Sequence, residues 1–145
     1  MRGNFWRKRF GGCRFTLPRQ AVIEVLSQTK EHLTADDIYM KVHQKYPSCG
    51  LATIYRTLEL LTNMGMVKKF DFGQRRWSYQ FNDPDKQNHH HHLVCNKCAK
   101  VIDYTDFSDE EKSFLDKTEK RLSKKHNFKI QEHEVVFKGL CEKCK

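Results

Sequence analysis

The chain contains no run of eighteen apolar residues, so nothing in it predicts a membrane-spanning helix. Its basic start, Met1–Phe10, leads into neither an apolar stretch nor a small-residue cleavage site, which speaks against an export signal and makes the cytoplasm the expected location. Without export, six cysteines do not read as a disulfide framework. H-E-x-x-H and H-x-E patterns are also missing, as is any other paired acid/base arrangement, which counts against a zinc hydrolase. Pervasive disorder is not indicated either: 145 residues with 38% hydrophobic content can bury a core in one domain or two small ones.

What is present is unevenly distributed. The formal charge is +9. Residues 1–82 hold 14 Lys/Arg against 6 Asp/Glu, whereas residues 83–145 hold 13 against 12. A basic half suits a polyanion, because neutralising phosphates releases condensed counterions.

Local patterns give that half a shape. Thr16–Ser27 reads as a first helix, with Thr16 at the N-cap, Pro18 in the first turn, and Val22, Ile23, Val25 and Leu26 at helical spacing. Thr34-Ala35-Asp36-Asp37 has capping-box spacing and opens a second helix whose stripe is Ile38, Val42 and Tyr46, ending before Pro47. Leu51–Met64 reads as a third, with Leu51, Ile54, Leu58 and Leu61 on its buried face and Gly65 as the stop. That burial leaves Ala52, Thr53, Tyr55 and Arg56 on the first two turns, where a recognition helix meets bases and phosphates. An exposed arginine is also commonly just solvated, and Tyr55 can be half-buried packing. Two β-rich stretches follow, Val67–Phe72 and Trp77–Phe81, joined by Gly73-Gln74-Arg75-Arg76 as a hairpin with a basic tip. Three helices and a basic hairpin predict a winged helix-turn-helix, with Arg56 foremost and Thr53, Tyr55, Arg19 and Arg75 as further candidate DNA contacts.

Asn82–Asn88 is polar, contains Pro84 and precedes the change in charge balance, so residues 1–82 are expected to form a DNA-binding domain, 83–88 a hinge and 89–145 a second domain. The second domain opens on His89-His90-His91-His92-Leu93-Val94-Cys95-Asn96-Lys97-Cys98 and ends with Cys141-Glu142-Lys143-Cys144. Each C-x-x-C pair brings two thiolates to one ion, and Cys95, Cys98, Cys141 and Cys144 together would close a tetrahedral zinc site with no open position. Such a shell is structural. Cys13 and Cys49 have no partner at ligand spacing.

The histidine run is internal and abuts Cys95, unlike an expression tag. If it continues a strand, His90 and His92 face one way and His89 and His91 the other, so one run can serve two sites. Imidazoles suit iron, manganese, zinc, nickel or copper, and added carboxylates favour harder ions. Nearby acids are Asp83, Asp85, Asp103, Asp106, Asp109 and Glu110, and His133 is a further candidate ligand. Val101–Tyr104, Phe128–Ile130 and Glu134–Phe137 read as strands and Ser108–Lys125 as an amphipathic helix, giving a small α/β domain and an α+β fold overall. Exposed strand edges would pair across a two-fold axis, and a dimer would present two winged helices to a palindromic operator. A metal-storage reading of the histidine run leaves the winged helix without a purpose.

Thr16-Leu17-Pro18-Arg19, Gly50-Leu51-Ala52-Thr53-Ile54-Tyr55-Arg56, the His89–Cys98 run and the C-terminal cysteines resemble the ferric uptake regulator (Fur) family, over nearly the whole chain. The resemblance implies a homodimeric repressor that binds an inverted-repeat DNA operator when a divalent metal closes its DNA-binding domains onto a dimerisation core. It implies structural Zn(2+) at the cysteines and regulatory Fe(2+), Mn(2+) or Zn(2+) held by His32, His90, His92 and Asp103. Where the family has a carboxylate before the linker this chain has Tyr79-Gln80-Phe81, so neutral Gln80, or Asp83 or Asp85, takes that position. The resemblance also implies a second metal site at His89, His91 and His133, with Glu110 and Asp116 as rival acids. It implies no membrane and no organic small-molecule substrate. Within the family, Asp103 in place of a glutamate leans towards a peroxide sensor. The lack of an extra cysteine near the wing disfavours a zinc-uptake regulator.

Overall fold

A computed structural model describes residues 16–73, 75–82 and 91–145. The chain divides into two compact units, one up to Asp85 and one from Lys86 onward.

The first unit is built on three helices. Helix α1, Leu17–Gln28, carries Pro18 in its opening turn, where an absent N–H costs no intrahelical bond. Thr16 occupies the N-cap in extended conformation but makes no capping bond through its side chain. Ala21, Val22, Ile23 and Leu26 form its buried face, with Val25 packed at the margin. The two-residue strand β1, Leu33–Thr34, leads into α2, Ala35–Lys45, through the predicted capping box. The Asp37 amide donates to Thr34 Oγ1 at 3.2 Å and the Thr34 amide to Asp37 Oδ2 at 2.9 Å, so the shorter aspartate does the work of a glutamate.

Helix α3, Leu51–Asn63, buries Ile54, Thr57, Leu58 and Leu61. Leu51, expected on that face, is 38% exposed: it starts the helix one turn beyond the packed core. Gly65 terminates the helix with φ 69°, a conformation that costs glycine nothing, and the Met66 amide returns to the Leu61 carbonyl at 2.9 Å. Strands β2, Val67–Asp71, and β3, Trp77–Phe81, pair antiparallel from Val67↔Phe81 to Asp71↔Trp77. Their turn is held by the Gly73 amide donating to Asp71 Oδ1 at 2.8 Å, with Arg75 in the left-handed region at φ 58°. Strand β1 also pairs with β3, giving the order β1-β3-β2. This third strand, too short to show a period, was not expected. Leu26, Ile38, Val42, Leu58, Leu61, Val67 and Tyr79 belong to one cluster beneath helices and sheet.

The second unit is built around a sheet of its own. Strand β4, His91–Cys95, pairs antiparallel with β5, Val101–Tyr104, and parallel with β6, Val136–Gly139. The parallel pair needs a long crossover, and helix α4, Asp109–His126, lies within it. A full capping box between Ser108 and Glu111 starts α4, three acids occupy its first turn, and Lys124, Lys125 and His126 oppose the negative helix end. Asn127 closes it in the left-handed conformation. Two strand expectations are corrected. Phe128–Ile130 is irregular, and the last strand is Val136–Gly139 in place of Glu134–Phe137. Backbone pairing to β4 starts only where the His92 amide reaches the Val135 carbonyl at 3.0 Å, so the segment from the helix cap to that point has no strand to join.

Candidate metal centres and nucleic-acid interface

Cys95 ends β4 and Cys98 lies one tight turn later, where Ala99 takes φ 65° and its amide donates to the Cys95 carbonyl at 3.0 Å. Cys141 and Cys144 span a similar turn after β6, with the Cys144 amide on the Cys141 carbonyl at 2.9 Å. The Asn96 amide bonds the Gly139 carbonyl at 2.8 Å and so stitches the two turns together. The four Sγ atoms lie within 4.8 Å of one another, and Cys98 and Cys141 are 3.6 Å apart. A tetrahedral zinc shell with Zn–S of about 2.3 Å sets its sulfurs roughly 3.8 Å apart, so these thiols fit that ion with small adjustments.

The thiols are electrically unequal. The Cys98 amide beside the Cys95 sulfur, helped by the Cys141 amide, lowers the Cys95 pKa to about 6. Cys144 is pushed up to about 12 by its hydrogen bond to Cys141, with burial next. Crowding four acidic thiols lets the first ionise easily and resists the last, and a divalent cation removes that resistance by supplying the missing positive charge. Cys49 stands apart: it is buried in the first unit, and burial pushes its thiol up. Cys13 lies outside the described residues.

His91 and His92 are both buried and enter different surroundings. The His91 ring meets Phe107 edge-on at 4.5 Å between centroids, with Tyr104 at 6.4 Å and His133 at 5.8 Å. His133 Nδ1 is hydrogen-bonded to Glu119. Tyr104 donates to Glu111, whose carboxylate also accepts the Ser108 amide at 2.8 Å. Glu111 is held below the usual carboxylate range first by that amide, against the cost of burial, with Tyr104 and the charge of His91 adding to the effect. Glu111, Leu115, Thr118, Glu119 and Ser123 make up the half-buried face of α4, whereas Glu110 and Asp116 are exposed. The acids facing the His91–His133 pair are therefore Glu111 and Glu119, two that sequence reasoning did not single out.

On the other side of β4, His92 is 1% exposed, with Nε2 3.7 Å from Asp103 Oδ1 and Nδ1 3.1 Å from Glu134 Oε1. Asp103 arrives by strand register, directly opposite His92. Glu134 was missed. Its signal was available: successive residues of an extended segment face opposite ways, so His133-Glu134 can supply one donor to each histidine neighbourhood. His89, His90, Asp83 and Asp85 lie outside the described residues.

In the first unit, His32 sits in the loop between α1 and β1, its ring edge-on to Phe70 and Phe72 at 4.8 and 5.4 Å. Gln80 Nε2 donates to the Lys30 carbonyl of that loop at 3.0 Å. On α3, Tyr55 is 48% exposed, Arg56 is exposed and Thr53 half-buried. Arg75 is exposed at the hairpin turn, and Arg19 is half-buried on α1.

A winged-helix module followed in one chain by a sheet domain with a tetrathiolate cluster and a buried histidine pair has the build of a metal-responsive DNA-binding regulator. Residues 11–138 match the Ferric uptake regulator family, and the chain belongs to it. It is 38% identical to the ferric uptake regulation protein of Bacillus subtilis (strain 168), over 90% of this chain and 85% of that one. It is 31% identical to the peroxide-responsive repressor PerR of Staphylococcus epidermidis (strain ATCC 12228 / FDA PCI 1200), over 94% and 85%. The crystal structure of the Vibrio cholerae ferric uptake regulator superposes with a TM-score of 0.76 at 31% identity, covering 95% of this chain and 99% of that one.

Proposed function

We propose that the chain is a cytoplasmic repressor that binds an inverted-repeat operator as a homodimer and responds to iron(II) or manganese(II). The observation that carries this reading is His92, buried with a carboxylate near each ring nitrogen. Mixed imidazole and carboxylate donors suit ferrous iron and manganese better than a sulfur shell does. His32, His90 and Gln80, or an acid of the linker, complete the regulatory set in this proposal. A ligand from the DNA-binding domain would let metal occupancy bias the domain arrangement, a two-state switch. Zinc at Cys95, Cys98, Cys141 and Cys144 braces the strand that carries His92. The second site takes His89, His91 and His133, with Glu119 supported over Glu110 and Asp116 by its bond to His133.

Dimerisation is supported by an apolar row across the sheet. Leu93 pairs with Ile102 on one side and Phe137 on the other, and the three are 41%, 44% and 51% exposed. A contiguous apolar row of that kind is the mark of a surface meant to be covered. DNA binding is assigned to Arg56, Tyr55 and Thr53 on α3, with Arg19 and Arg75 on the flanks, and no catalytic step is involved. Asp103 as the strand-borne carboxylate favours a second reading, a peroxide sensor, to which the Staphylococcus epidermidis relative lends support.

Operator binding titrated with iron(II), manganese(II) and zinc(II), repeated after peroxide with mass analysis of the histidines, tests both readings. Activation by iron or manganese that survives peroxide supports the first. Loss of binding with an added oxygen on a histidine supports the second. Binding indifferent to all three metals refutes the proposal.

A further inference from the structure

The β2–β3 hairpin carries a lysine–tryptophan contact apart from the metal-ligating residues and helix α3. In an antiparallel ladder, directly opposed residues share a face, so Val67, Lys69 and Asp71 lie on one side with Phe81, Tyr79 and Trp77. Val67 and Tyr79 belong to the core cluster and Phe81 packs against it, so this is the side that faces the helices. Helix α3 packs on β2, and the Tyr79 hydroxyl, raised first by burial, also feels Tyr55 and Glu59 of α3. Along the hairpin this face runs out of core. Tyr79 is buried, and Trp77, two residues nearer the turn, is 48% exposed. Above its ring, 3.9 Å from the centroid, stands the Lys69 ammonium.

Two acids near this hairpin have other partners: Asp71 holds the turn through the Gly73 amide, and Asp36 lies 3.9 Å from Arg76. A ring face attracts an ammonium without supplying a counter-charge, so the contact localises Lys69 and leaves it available to an anion. Left to itself, a lysine side chain spends its charge over many rotamers, and ordering it in advance lowers the cost of any contact it makes.

We propose that Trp77 is a positioning residue of the DNA surface, its indole holding the Lys69 ammonium on the helix-facing side of the hairpin, where Lys69 meets a phosphate of the duplex engaged by α3. The proposal rests on the DNA-binding reading and adds to it a charge set by a ring. Trp77 itself need not touch the nucleic acid.

The test is a double-mutant cycle on the full chain loaded with zinc and manganese(II), read as affinity for a labelled random-sequence duplex across a salt series. Lys69→Ala should lower the slope of log affinity against log salt by about one, the signature of one lost phosphate contact. Trp77→Leu, which keeps apolar cover but no π face, should weaken binding roughly two- to fivefold, the range an exposed cation–π contact supports. Trp77→Phe should retain most of the affinity, and Trp77→Leu should add nothing in the Lys69→Ala background. Equal effects of Leu and Phe, or full additivity with Lys69→Ala, would overturn the proposal while leaving the DNA reading intact. A wild-type chain that binds no duplex at any salt would remove both.

Discussion

The two units are held together by different physics. In the first, Leu26, Ile38, Ile54, Leu58 and Leu61 are fully buried in one apolar cluster, each contributing about 1.5–3 kcal/mol by leaving water. In the second, the buried residues among those described are Val94, Cys95, His91 and His92, and α4 buries none of its residues completely. A sheet and a helix with so little apolar cover need other sources of stability. In the proposed reading these are a metal ion at the tetrathiolate cluster and a partner copy over the exposed row Leu93, Ile102 and Phe137. The first unit thus has an apolar core of its own beneath the proposed reading helix. In the proposed reading the second is a receptor whose order depends on what it binds.

That contrast can be broken most forcefully at the thiols. Cys95→Ser, or strong chelation, should release zinc and unfold the second unit while the helices of the first persist, because structural zinc contributes on the order of 10–16 kcal/mol to small zinc modules. Circular dichroism with zinc analysis checks this, and a variant that keeps its zinc and its sheet would remove the contrast. Leu58→Ala, at a fully buried position of α3, should cost about 2–5 kcal/mol in urea unfolding of the first unit, with zinc content unchanged. Arg56→Ala should weaken duplex binding by about 1–3 kcal/mol with dimer and metals intact, a local loss that leaves both units standing. The smallest effect is expected at Glu111. Its carboxyl is held low by the Ser108 amide, so its stabilisation is complete above the ordinary carboxylate range and is lost as pH falls through the lowered value. Wild type should therefore exceed Glu111→Gln in Tm at neutral pH and lose that advantage in acid.

Legibility in the sequence follows the same division. Helices of the first unit announced themselves because a 3.6-residue apolar period, a capping box and Gly65 all agree there. Leu51 misled because periodicity says which side a residue faces and not where the core ends. Strand β1 is two residues long, below any period. In the second unit the cysteine spacing was decisive, since two C-x-x-C turns leave thiols few other uses. Its acids were harder. Glu119 and Glu134 are set by the packing of α4 and by an irregular segment before β6, and charged residues along a helix with no fully buried position look alike until their neighbours are known. Register, which places Asp103 opposite His92, is fixed by pairing across the chain and cannot be counted along it.

In the proposed reading bracing and sensing are separate, with sulfur for the first and the His92 cluster for the second. The decisive experiment measures zinc content and manganese(II)-dependent operator binding together in His92→Ala. Wild-type zinc, a folded second unit and loss of the manganese response are expected. A variant that still binds its operator on addition of manganese, or that sheds its zinc along with the response, would contradict that separation.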